Sequence, residues 1–287
     1  MINPTFLEEV DRFDASLEQE ATGIQRGEQE SPDVGEGLTF SDYRRYSPGD
    51  DTRLIDWRLY GRTGEYYIKQ FEEERSLTVH VLVDASASMD YGDPDIDTHK
   101  FEFGAKLGLG YAYLTAEAHD DFKFSIFKDR PERLDAGTST RGEVLGLIDR
   151  VNETTPRGET DFATALESYA GLINSRSLIV IITDCLGDLD SLESGLASIA
   201  QNDVILIQLL APGEVDPNPA GDTIFEGVES DVSQRTYFGG RLLEQYRNRV
   251  DAFINDVEAR TQRLRITHAF VPTDQDFFDA FATTWIG

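Results

Sequence analysis

The chain has 287 residues, with 26 basic and 54 acidic side chains, for a formal charge of −28. That length allows one large domain, or one domain with a substantial extension, and either can bury a full core. At 39% hydrophobic and 10% aromatic residues the composition is that of a globular chain. The acidity repels phosphate backbones and anionic lipid heads, so nucleic-acid and membrane-surface partners are not expected.

Five of the 26 basic residues are lysines (Lys69, Lys100, Lys106, Lys123, Lys128) and the rest are arginines. Excess carboxylate with scarce lysine is expected of a halophilic protein, because molar salt screens self-repulsion within roughly 3 Å. The lone Cys185 excludes an intramolecular disulfide framework. No run approaches the roughly 18 apolar residues of a membrane span. The start, Met1 to Glu9, shows neither a basic nor an apolar leader region, and the expectation is a cytoplasmic protein without a membrane segment.

In chain order, an amphipathic helix is predicted over Pro4–Leu17, followed by a polar connector to about residue 37. A dense block then runs from Phe40 to Tyr60. Residues 41–71 hold six basic and five acidic side chains, a net +1, which leaves −29 on the remainder. Residues 1–75 are read as an N-terminal extension and 76–287 as the main domain.

From residue 77 onward, apolar runs and amphipathic segments alternate. Strands are predicted at Leu77–Val83, Phe122–Phe127, Leu178–Thr183, Val204–Leu210 and Ile266–Val271, and helices at 100–118, 141–151, 161–174, 190–201, 240–262 and 275–284. Three of the strands are almost continuously apolar, the pattern of strands covered on both faces. The fold class is therefore α/β: a doubly wound, mostly parallel sheet with helices on both faces. Gly104 and Gly108, four apart on one helix, predict close packing of that helix on the sheet. Thr223–Phe225 and Arg235–Phe238 predict a hairpin insertion at about 213–240.

The first chemical signal is Asp84, Ser86 and Ser88, directly after an apolar strand. A carboxylate and two hydroxyls at the C-terminal end of a strand enter the crevice where open α/β sheets bind ligands. Hard oxygen donors suit Mg²⁺ or Mn²⁺. The four histidines (His80, His99, His119, His268) have no metal-ligand spacing, so zinc is not expected. Thr160 precedes a predicted helix, and Asp184 ends the strand Leu178–Thr183, on the same sheet edge as Asp84.

The order Asp84-x-Ser86-x-Ser88, Thr160, Asp184 resembles the metal-ion-dependent adhesion site of von Willebrand factor A domains, a Rossmann-like fold. The upstream block, from Asp42-Tyr43-Arg44 through Pro48-Gly49-Asp50-Asp51 to Ile55-Asp56-Trp57, with Glu73-Glu74-Arg75 after it, resembles the family called domain of unknown function 58. The likeness covers roughly residues 36–287. It implies that Ser86, Ser88 and Thr160 offer hydroxyls while Asp84 and Asp184 act directly or through water, with one water exchangeable for an acidic side chain of a protein partner. It also suggests a MoxR-type AAA ATPase as partner, with this chain as an adaptor in assembly or maturation of another protein. Such exchange is recognition and needs no nucleophile, so no enzyme activity is expected.

Two alternatives stand beside this reading. One is a metal-free scaffold in which Ser86 and Ser88 are ordinary caps. The other is a Mg²⁺-dependent phosphohydrolase using Asp84 as nucleophile. The position two residues after Asp84 holds Ser86 rather than the second aspartate of such enzymes, and no phosphate-neutralising lysine is evident. No phosphate-binding Gly-x-x-x-x-Gly-Lys loop is present, so the chain is not itself the ATPase. Cys185 is read as a small buried hydrophobe, and Trp57 as a core anchor among internal Arg–Asp ion pairs.

Overall fold

Strands whose apolar residues face both ways, and helices with one apolar stripe, make three layers in the computed structural model. It describes residues 1–13, 38–47, 50, 55–73, 77–93, 98–217, 222–226, 233–237 and 240–285. Two compact units divide the chain: Met1–Glu20 with Leu77–Gly287, and Ala21–Ser76.

The elements in order are α1 (6–13), β1 (Leu38–Arg45), α2 (Trp57–Thr63), β2 (Tyr67–Glu73), β3 (Thr78–Asp84), β4 (Gly92–Asp93), β5 (Thr98–His99), α3 (Lys100–Glu117), β6 (Asp121–Phe127), β7 (Pro131–Arg133), α4 (Arg141–Asn152), α5 (Phe162–Ala170), β8 (Leu178–Thr183), α6 (Leu189–Ile199), β9 (Asp203–Leu210), α7 (Pro212–Val215), β10 (Asp222–Glu226), β11 (Ser233–Tyr237), α8 (Gly240–Arg263), β12 (Thr267–Pro272) and α9 (Phe277–Trp285).

In the larger unit six strands form one sheet in the order β12-β9-β8-β3-β6-β7. All neighbours are parallel except β6 and β7. This is the doubly wound order, and its switch point lies between β3 and β8. Alternation along β3 divides the core: Val79, Val81 and Val83 join α1, α3, α4 and α9 on one face, while Leu82 joins α5, α6 and α8 on the other. The expected α/β fold is therefore the one observed, and β10 and β11 form the expected antiparallel hairpin.

Glycines let α3 lie close to the sheet. A Cβ on Gly104 would stand 2.8 Å from Leu209 Cδ1, and one on Gly108 the same distance from Val81 Cγ1. The helix expected over 161–174 stops at Ala170, with Gly171 as its C-cap. The edge strand β7, three residues starting at a proline, has no periodicity to announce it.

The extension expected over 1–75 is not one piece. Ile2, Phe6, Leu7 and Val10 are buried in the core of the α/β unit. Tyr113 donates to Asp11 Oδ1 at 2.6 Å, and Asn152 Oδ1 accepts from the Ile2 N–H at 2.8 Å. The polar connector predicted up to residue 37 lies outside the described residues.

In the smaller unit β1 pairs antiparallel with β2, and Asp56 caps the N-terminus of α2, its carboxylate accepting from the Arg58 and Leu59 N–H groups. Ion pairs Arg44–Asp50 and Arg45–Glu65 fit the expected internal Arg–acid pairing. Trp57 corrects its reading as a core anchor: it is 60% exposed. As the first residue of α2 it points outward and meets Tyr60 and Tyr66 edge-on at 6.2 and 6.3 Å.

Candidate functional site

The switch point gathers the ends of β3 and β8 and the loop before α5. After Asp84 the chain turns sharply: the Ala85 N–H bonds Phe127 O, the Ala87 N–H bonds Gly158 O, and Ala87–Met89 form one 3₁₀ turn. Arg157 N–H returns a bond to Ala85 O, and Gly158 takes φ +81°, so Thr160 is delivered over Asp84.

Asp84 is completely buried. Its Oδ1 accepts from the Ser86 N–H at 2.8 Å and from Thr160 Oγ1 at 3.2 Å, and its Oδ2 accepts from Thr183 Oγ1 at 2.6 Å. Ser86 Oγ and Ser88 Oγ lie 3.0 Å apart. Four of the residues singled out in the sequence, Asp84, Ser86, Ser88 and Thr160, thus converge. Among the described residues each of these donors to Asp84 is neutral. Burial, and then repulsion from Asp184, push the Asp84 carboxyl up to about 6.

Asp184 is placed differently. Its Oδ2 accepts from Lys100 Nζ at 2.8 Å and its Oδ1 from the Leu186 N–H at 2.9 Å. The Lys100 ammonium also bonds Glu214 Oε1 at 2.7 Å, and Glu214 Oε2 takes the Ala211 N–H at 2.8 Å. Burial opposes the Lys100 charge, but Asp184 and Glu214 outweigh it and raise its pKa. Burial also keeps Glu214 above the usual carboxylate range, because one ammonium shared by two acids returns less than desolvation costs.

Sequence reasoning missed Thr183, Lys100 and Glu214. Lys100 carried a signal: it opens α3, and a cation at a helix N-terminus works against the macrodipole. A lysine there has another reason to stay. Cys185 is fully buried at φ +60°, and burial, then Asp184 and Asp84, push its thiol well up, in keeping with an inert hydrophobe.

Hydroxyls and a carboxylate, with no sulfur or imidazole among them, suit a hard divalent cation. Among the described residues no cluster of three or more His, Cys, Asp or Glu side chains is placed for a metal, so any ion here would rest largely on hydroxyls and water. Among the same residues no helix is long and apolar enough to cross a membrane.

Uncharacterized protein Rv1480 of Mycobacterium tuberculosis is 25% identical over 254 residues, which cover 88% of this chain and 79% of that one. Among solved structures, the conserved hypothetical protein BatB from Bacteroides thetaiotaomicron is 11% identical and aligns over 74% of this chain and 100% of its own, with a TM-score of 0.42. The SpRpn10 VWA domain is 13% identical, over 72% of this chain and 94% of its own, also with a TM-score of 0.42. A sequence family described as protein of unknown function DUF58 matches residues 42–251, and this chain belongs to it.

Proposed function

We propose that the switch-point site is a metal-dependent recognition site for an acidic side chain of a protein partner. The observation that carries this reading is Asp84: a fully buried carboxylate, ringed by hydroxyls, whose described donors are all neutral. A buried charge without a cation is costly, and a divalent ion relieves that cost. Asp84, Ser86, Ser88 and Thr160 would hold Mg²⁺ or Mn²⁺, with Asp184 acting through water. The ion would supply a Lewis-acidic position where water exchanges for a carboxylate. Ser86 and Ser88 stay in place because the turn at Ala87–Met89 is pinned to Gly158.

Recognition is favoured over phosphohydrolase chemistry by what surrounds Lys100. Its ammonium is fully buried and engaged by two carboxylates, so it is not free to meet a phosphate. A metal-free scaffold is the second reading, and the same ion pair favours it, since the fold already supplies Asp184 with a cation. The role of adaptor to a MoxR-type AAA ATPase belongs to the proposal through the family resemblance alone.

Calorimetric titration with MgCl₂ and MnCl₂ in molar KCl separates the readings. Saturable binding to the wild-type chain, lost in Asp84→Ala, is the expected result. No binding, or equal binding by a folded Asp84→Ala chain, leaves the scaffold. Turnover of a phosphoester that vanishes in Asp84→Asn would move the site to catalysis.

A further inference from the structure

We infer that Lys100 is a specificity-determining residue of this site: by holding Oδ2 of Asp184, whose Oδ1 already accepts the Leu186 N–H, it leaves a bound divalent cation one protein carboxylate, so that an incoming carboxylate completes its charge. The inference rests on the metal-bridged reading and adds the reason why that site selects an acidic partner.

The geometry is specific. Asp184 Oδ2 faces Lys100 Nζ at 2.8 Å, and Oδ1 is held by the Leu186 N–H at 2.9 Å. The side chains of Lys100 and Asp184 have zero exposure, so water does not compete for either. Glu214 draws the ammonium from the other side at 2.7 Å and is itself anchored by the Ala211 N–H. Lys100 is therefore clamped between two acids.

Asp84 remains, with the Ser86, Ser88, Thr160 and Thr183 hydroxyls about it. One carboxylate and neutral oxygens leave a divalent ion with one positive charge unmatched by its own ligands. A partner's aspartate or glutamate matches it. With Asp184 released, two carboxylates would satisfy the ion and reduce its demand for an acidic ligand.

The test is a titration of the full chain with MnCl₂ in molar KCl, in the presence of either sodium acetate or the same concentration of sodium chloride. Acetate stands in for the partner's carboxylate. The variant Lys100→Met/Glu214→Gln removes one charge of each sign, so net charge is constant while Oδ2 of Asp184 is freed. The expected result is Mn²⁺ affinity higher by about tenfold or more, from the added carboxylate ligand. The acetate enhancement of the wild type should shrink in the same variant, and adding Asp184→Asn should cancel the gain.

In case that variant does not fold, Asp184→Asn alone in the wild-type background is the second measurement. It should weaken Mn²⁺ binding far less than Asp84→Asn, which removes the ion's one protein carboxylate and should abolish binding. Wild-type binding with an unchanged folded double variant, or loss in Asp184→Asn equal to that in Asp84→Asn, overturns the role of Lys100 and leaves the metal bridge standing. No binding by any chain overturns both. Binding only after Lys100 is removed overturns the metal bridge in the wild type and supports Lys100 as the site's resident cation.

Discussion

Lys100 Nζ lies 2.8 Å from Asp184 Oδ2, and neither side chain has any exposed surface. Breaking one side of such a pair leaves an uncompensated buried charge. Lys100→Ala should therefore lower stability by about 3–5 kcal/mol. The neutralised variant Lys100→Met/Asp184→Asn/Glu214→Gln should recover much of that loss. Urea denaturation of the three chains, with and without the neutralising changes, measures both.

Two glycines should respond unequally to added methyl groups. A Cβ on Gly195 would stand 2.6 Å from Phe162 O, a backbone atom of α5 that cannot move alone. On Gly104 the nearest neighbours are Leu209 Cδ1 at 2.8 Å and Ile182 Cγ2 at 3.0 Å, both ends of side chains. Gly195→Ala is expected to cost about 3 kcal/mol, near the top of the overpacking range, and Gly104→Ala about 1 kcal/mol. A comparison of denaturation midpoints settles the order.

His80 gives stability a slope with pH. It is buried against Tyr169, with Nδ1 2.8 Å from the phenol oxygen. Burial, and then the Lys123 charge, lower its pKa to about 4. The unfolded chain binds this proton first, so the stabilising contribution is fully present above the unfolded pKa near 6.5 and is lost as pH falls through about 4. The amount at stake is up to about 3 kcal/mol. Stability measured from pH 7 to pH 4 should fall less steeply in His80→Asn, which keeps a polar atom facing Tyr169.

A formal charge of −28 should make the fold depend on salt. Self-repulsion at low ionic strength opposes compaction, and molar KCl screens it. The melting temperature is expected to rise steadily from dilute buffer to molar KCl. Unchanged melting across that range would remove the case for salt adaptation.

The buried strands were legible because their sequence patterns are local. Leu178–Thr183 and the run to Asp84 are short, rich in Val and Ile and apolar almost throughout, the pattern of strands covered on both faces. A doubly wound sheet then places the residues that end or follow those strands at one edge, which makes Asp84, Ser86, Ser88 and Asp184 legible, while Thr160 is marked by its place before a helix. The short edge strand at Pro131–Arg133 has too few residues to show a period. Trp57 was misplaced because a tryptophan suggests burial by composition, while its exposure depends on which way the first turn of α2 faces.

What the amino-acid sequence determined by itself was the layer architecture, the edge that carries the oxygen donors, and the chemical class of those donors. Periodicity and the strand-end rule act over a few residues, so no tertiary contact is needed to read them. Only the tertiary structure decided which of these carboxylates has a cationic partner. Lys100, Asp184 and Glu214 are far apart in the chain, and their pairing follows from how α3, β8 and α7 pack. Of the two buried aspartates at the switch point, the one that faces an ammonium, Asp184, is chosen by that packing.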